Sequence, residues 1–249
     1  KQVLITVGNH DTASYSDGGG YSWTAHAGED SYKKFISPSV SGWGVVQRSS
    51  QTYYYKDYQK SGMRLIVLDC MAYDEAQESW FSEVVAGARE KGLSVVAVSH
   101  YPVSAFTPIE CNYSTRPDLD AGVVKEYWSH RPKLSGAIAI IDEFIDNGGD
   151  FVCWLGGHLH KNSLGYIPKH HNQLVLLVES ASSSSDINRQ GDAMRVKGGK
   201  NQDSFNIVGF DRAEHVISIL KIGADMDNIG RSRQFLSIDY HSQEILESY

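Results

Sequence analysis

Three clusters in this sequence combine histidine with glycine or oxygen-bearing neighbours: Gly8-Asn9-His10-Asp11, Ser99-His100-Tyr101-Pro102 and Gly156-Gly157-His158-Leu159-His160. Imidazole nitrogen together with oxygen ligands suits divalent ions of the Mn, Fe and Zn series. The side-chain oxygen of Asn9 could complete such a site without adding negative charge. His158 and His160 lie two apart, so they point the same way on an extended backbone and can face two closely held ions from a loop. The glycine pair before them lets the chain turn sharply and approach the ions. Taken singly, each cluster is weak, because a histidine at a strand end is more often a surface or hydrogen-bonded residue than a ligand. The same strand-then-polar grammar three times over is harder to assign to chance.

The elements that must position these clusters read as buried strands. Gln2–Val7 is a β-branched run that stops at Gly8, Leu93–Ser99 stops at His100, and Phe151–Leu155 stops at Gly156. Strands that end in polar loops present chemistry at the carboxyl edge of a sheet in α/β proteins. Between them, Asp74–Lys91 carries Ala76, Trp80, Phe81, Val84, Val85 and Ala88 at helical spacing, with Gly92 as its stop. Ile138, Ile141, Phe144 and Ile145 mark a second helix closed by Asn147-Gly148-Gly149. Tyr53–Tyr58 and Met63–Asp69 read as a hairpin turning at Lys60-Ser61-Gly62.

The rest of the chain reads as loop and strand. Thr12–Gly44 is a loop with one short helix around Asp30–Ile36, Val103–Ser135 is an insertion, and Ser182–Gly199 is a polar loop. Leu174–Glu179, Phe205–Asp211, Val216–Ile222 and Phe235–Asp239 read as further strands, with 224–249 a C-terminal extension. No repeat or composition shift marks a boundary, so 1–249 reads as one domain. Tyr101 and Tyr113 are the candidates for substrate contact, because they follow His100 or lie in the insertion. Of the Tyr53-Tyr54-Tyr55 run, alternate rings are expected in the core. His26, His130, His215 and His241 read as surface residues, His170-His171 as a solvated loop, and Arg116 and Arg131 as ordinary surface arginines.

In order and spacing, the three clusters resemble the third, fourth and fifth motifs of the calcineurin-like metallophosphoesterases. Leu68-Asp69 followed by Gln77 and Trp80-Phe81 is similar to that family's lead-in to the fourth motif, and the resemblance spans roughly Val3 to Gly223. It implies an α/β fold, a two-sheet β-sandwich flanked by helices in four αββα layers. It also implies hydrolysis of phosphate mono- or diesters with two divalent metal ions (Mn, Fe or Zn) that neutralise the phosphoryl oxygens. By this resemblance Asn9, His100 and His158 would bind one metal and His160 the other, while His10 would stabilise the transition state or protonate the leaving oxygen. Asp11 would orient rather than ligate.

One departure accompanies the match. The family's Asp-x-His and Gly-Asp-x-x-Asp motifs should precede the strand that begins at Val3, and only Lys1 and Gln2 do. Asp186, Asp192 and Asp225 sit in the wrong context to substitute. The expectation is a domain incomplete at its N-terminus, with partial metal occupancy, low activity by itself, and dimer pairing at an exposed sheet edge. The alternative is a non-catalytic domain that binds a partner or a phosphate ligand.

Composition narrows the partners. Hydrophobic residues make up 41% and charged residues 21%, enough apolar material for a sizeable core. The formal charge of −7, without a basic cluster, disfavours a nucleic-acid backbone as partner and leaves a phosphate ester to be drawn in locally by metal. No apolar run approaches the roughly 20 residues of a membrane span. Cys70 and Cys153 sit in apolar runs and read as buried, while Cys111 lies in a polar loop. The chain opens with Lys1 rather than Met, so it reads as a processed or trimmed product, and the compartment stays open between cytoplasm and export.

Overall fold

The fold is described from a computed structural model, over residues 4–6, 8, 44–47, 51–70, 73–104, 106–109, 111, 134–158, 162–178, 204–223 and 233–248. The expected helix at 30–36 and the loops at 112–133 and 182–199 lie outside these residues. The architecture is mixed α/β, with a large mixed sheet, a second antiparallel sheet and few helices. The chain falls into two compact units, 1–104 with 130–154 and 105–129 with 155–249.

In the first unit the strand order is β1 (Val45–Gln47), β2 (Tyr54–Tyr58), β3 (Met63–Val67), β4 (Ser94–Val98) and β6 (Phe151–Gly156, whose last residues belong to the second unit). The β2–β3 hairpin turns where expected, with Gly62 at φ +65°, a left-handed conformation that glycine adopts without a Cβ penalty. β3 and β4 run parallel, with Met63 opposite Ser94 and Val67 opposite Val98. Parallel neighbours need a crossover, and helix α1 (Glu75–Glu90) supplies it. Asp74 caps α1, its carboxylate accepting the Gln77 N–H at 2.8 Å, and Gly92 at φ +63° follows its end. Helix α2 (Ser135–Asp146) buries Ala137, Ile138, Ile141 and Phe144 and closes at Gly148, φ +80°.

The buried face of α1 is Gln77, Trp80, Phe81, Val84, Val85 and Ala88. Ala76, expected on that face, is exposed, and Gln77 takes the buried place. A second correction concerns Leu4–Thr6, expected within a strand but not assigned to one. A residue of β2 accounts for this. The Tyr54 hydroxyl accepts the Ile5 N–H and donates to the Ile5 carbonyl, both at 2.7 Å, so a side chain satisfies the backbone groups that a ladder would use. Leu4 packs on the cluster of Tyr54 and Val67. Tyr53 and Tyr54 are therefore both buried, contrary to simple alternation: Tyr53 packs on Trp80 with ring centroids 4.7 Å apart, while Tyr54 lies under the 4–6 segment. Burial pushes the Tyr54 hydroxyl up to about 12, against the lowering effect of its Ile5 hydrogen bond.

In the second unit β8 (Gln173–Leu177) pairs antiparallel with β7 (Ser163–Ile167), which in turn carries β5 (Thr107–Pro108). The Val178 N–H bonds the Gly156 carbonyl at 2.9 Å. The second sheet has the order β12 (Ile245–Ser248), β11 (Arg233–Asp239), β10 (Val216–Gly223) and β9 (Ser204–Asp211), all antiparallel. One of its faces buries Ile217, Ile219, Leu236 and Ile238. Four strands were not expected from the sequence: β1, β5 and β12 are short, and β7 carries Gly165 in its middle. Cys70 and Cys153 are buried as expected, and Cys111 is half-buried.

Candidate active site

β3 and β4 end side by side, and Leu68 extends the pairing by donating its N–H to the Val98 carbonyl at 2.8 Å. Beyond β4 the chain turns, and the Ser99 hydroxyl closes that turn on the Tyr101 carbonyl at 2.6 Å. His100 is thereby carried out at the strand's carboxyl end, half-buried. Its ring stands edge-on to Tyr101, centroids 5.2 Å apart. Tyr101 itself is 6% exposed, and its N–H reaches the Cys70 sulfur at 3.4 Å.

The 4–8 segment meets this turn. The Thr6 hydroxyl donates to the Leu68 carbonyl at 3.1 Å. Gly8 then lies directly under the His100 ring: a β-carbon there would stand 3.0 Å from Cε1 and Nδ1 and 3.2 Å from Cγ. The glycine that opens the Gly8-Asn9-His10-Asp11 cluster is thus in contact with the histidine of the second cluster. Two of the three clusters meet through this pair, within one compact unit.

The end of β3 is held by residues the motif reading did not single out as site residues. Asp69 is 2% exposed and its carboxylate accepts the Thr52 hydroxyl. Its backbone N–H donates to Gln77 Oε1 at 2.8 Å and its carbonyl accepts from Gln77 Nε2 at 3.0 Å. A signal was available: an amide among Trp80, Phe81 and Val84 on the buried stripe of a helix must find partners inside.

His158 follows Gly156-Gly157 at the end of β6, in the second unit, half-buried and at φ +68°. A non-glycine residue in the left-handed region is uncommon, and such conformations gather at functional sites. His170 and His171 occupy the β7–β8 turn, where Lys169, His171 and Asn172 also have positive φ. His241 is exposed as expected, but His215 is half-buried, its ring 4.0 Å from that of His241 and 5.6 Å from that of Tyr240. The remaining site candidates, Asn9, His10, His160 and Tyr113, lie outside the described residues.

The chain is similar to two solved phosphatases. One is a dimetal phosphatase from Danio rerio, at 11% identity and a TM-score of 0.48, covering 88% of this chain and 70% of that one. The other is a purple acid phosphatase from yellow lupin (Lupinus luteus) seeds, at 13% identity and a TM-score of 0.45, covering 97% of this chain and 39% of that one. No protein-family model and no curated protein matches the chain. Among the described residues no three His, Cys, Asp or Glu side chains gather as a metal site. His100 and His158, each in its own unit, are half-buried imidazoles just beyond strand ends, neither sealed in the core nor fully solvated. Among the described residues no helix is long and apolar enough to cross a membrane.

Proposed function

We propose that this chain belongs to a metal-dependent phosphoester hydrolase. The observation that supports the reading is the contact of His100 with Gly8, the described residue of the first cluster, which follows from the close approach of the two segments. By the motif resemblance His100, Asn9 and His158 would serve one divalent ion and His160 a second, with Mn, Fe or Zn all suited to these donors. Two such ions, when bound, would neutralise charge on the phosphoryl oxygens. The protein's own part is to hold imidazoles at fixed strand ends and to keep His10 at hand for the leaving oxygen. The substrate is a phosphate mono- or diester, of a small molecule or a phosphorylated macromolecule. The donors in this proposal are those that the three histidine clusters supply.

The test is metal content together with hydrolysis of p-nitrophenyl phosphate and bis(p-nitrophenyl) phosphate. Wild type and His100→Ala are compared, in this chain and in the full encoded polypeptide. Hydrolysis should require added metal and stop with a chelator. His100→Ala should lose at least the roughly 100-fold that outer-shell substitutions cost metal sites. Hydrolysis that survives chelation, or a His100→Ala variant equal to wild type in metal content and turnover, overturns the reading. Ligand binding without turnover in every form would favour the non-catalytic binding module instead.

A further inference from the structure

Three residues at the end of β3, Leu68 to Cys70, join the two halves of the candidate site. On one side Leu68 receives the Thr6 hydroxyl two residues before Gly8. On the other, Leu68 N–H reaches Val98 and the Cys70 sulfur receives the Tyr101 N–H, next to His100. What fixes this junction is a side chain from α1. Gln77 is fully buried, and the two ends of its amide bond both backbone groups of Asp69, at 2.8 and 3.0 Å.

We propose that Gln77 is a positioning residue: through Asp69 it sets where His100 stands against Gly8. This inference rests on the reading of His100 as a functional residue. Only a group with an acceptor and a donor in one plane can close both bonds to a single residue's backbone. Leucine or methionine would leave a buried N–H and a buried carbonyl to seek other partners. Asparagine is one methylene short. An ionised glutamate offers acceptors alone and would set a negative oxygen against the Asp69 carbonyl. A protonated glutamate, by contrast, has one donor and one acceptor and reproduces the pattern. Burial favours that neutral form, so Gln77→Glu should behave as wild type in acid and as a broken clamp in base.

The experiment compares wild type, Gln77→Met, Gln77→Glu and Ile141→Val, the last a buried core change in α2 that leaves the clamp's hydrogen-bonding groups intact. Two readouts are taken: the His100 imidazole resonances of the metal-free protein, and kcat and KM for bis(p-nitrophenyl) phosphate. In Gln77→Met the His100 resonances should shift and kcat should fall about tenfold, with KM nearly unchanged. Ile141→Val should move neither, even where its melting temperature falls as far. In Gln77→Glu the His100 resonances should match wild type near about pH 5 and depart from it near about pH 8. Two results overturn the proposal: His100 resonances that move no more in Gln77→Met than in Ile141→Val, or Gln77→Glu behaving as Gln77→Met at every pH. If the wild type hydrolyses no phosphate ester, the functional reading fails. The imidazole spectra then decide the clamp alone.

Discussion

The imidazole of His100 rests against the α-carbon of Gly8, so close that a β-carbon on Gly8 would meet Cε1 and Nδ1 at 3.0 Å. Ring and backbone approach this tightly because the Thr6–Leu68 hydrogen bond and the Ser99–Tyr101 turn press from either side. A glycine is needed at this position for space. Its neighbour, Asn9, is the residue the motif reading makes a ligand.

Gly8→Ala is therefore expected to displace the His100 ring by a few tenths of an ångström. The effect on the site should exceed the effect on the fold. Metal affinity should fall about tenfold, as for loss of outer-shell support, while melting temperature changes little. Titration with Mn²⁺ beside a thermal melt checks both.

His158→Gly should separate stability from function in the opposite sense. His158 stands at φ +68°, where a side chain costs about 1 kcal/mol that glycine does not incur. Glycine's extra freedom in the unfolded chain offsets part of that gain. Urea denaturation should show unchanged or slightly raised stability, while metal binding and hydrolysis drop. Unchanged hydrolysis would remove His158 from the site.

Asp57 and Arg64 give the clearest pH dependence. Arg64 is 2% exposed, donates from Nε to Asp57 Oδ1 at 2.6 Å and from Nη2 to Oδ2 at 2.8 Å, and stacks on the Tyr55 ring at 4.1 Å. Burial alone would raise the Asp57 carboxyl. The hydrogen bonds and charge of Arg64, helped by Lys91, hold it below the usual carboxylate range instead. The pair thus contributes stability that is complete above the unfolded carboxyl's pKa of about 3.9 and is lost as pH falls through the lower folded value. Asp57→Asn should cost about 3 kcal/mol at neutral pH by leaving a buried guanidinium without its anion. It should also flatten the loss of stability in acid, as read by denaturant unfolding across that range.

Gly165→Ala tests why β7 carries a glycine. A β-carbon there would meet the Phe106 ring and come within 2.5 Å of the Thr107 carbonyl oxygen. The ring can turn, but the backbone oxygen belongs to β5, which pairs with β7 at this point. Forcing the strands apart should cost about 1–3 kcal/mol, measured as a lowered unfolding midpoint with the denaturant slope unchanged.

Local pattern was enough for the elements whose burial repeats with their own geometry. The 3.6-residue stripe and the Asp74 and Gly92 boundaries specify α1, and continuous apolar runs specify β3, β4, β6 and β8. The three histidine clusters stand out in the sequence by the same signal, since each directly follows an apolar run, and Gly8, His100 and His158 are the described residues that carry them.

What the sequence by itself determined was period, termini and the residue types available for chemistry. Tertiary structure alone decided where backbone and polar groups found partners. The backbone N–H and carbonyl of Ile5 both bond the Tyr54 hydroxyl. Both ends of the buried Gln77 amide go to the backbone of Asp69, a partner the helical stripe does not name. β7 exists despite Gly165 because the Phe106 ring and β5 need the space. Each of these depends on a residue distant in sequence, and periodicity carries information only about a residue's near neighbours along the chain.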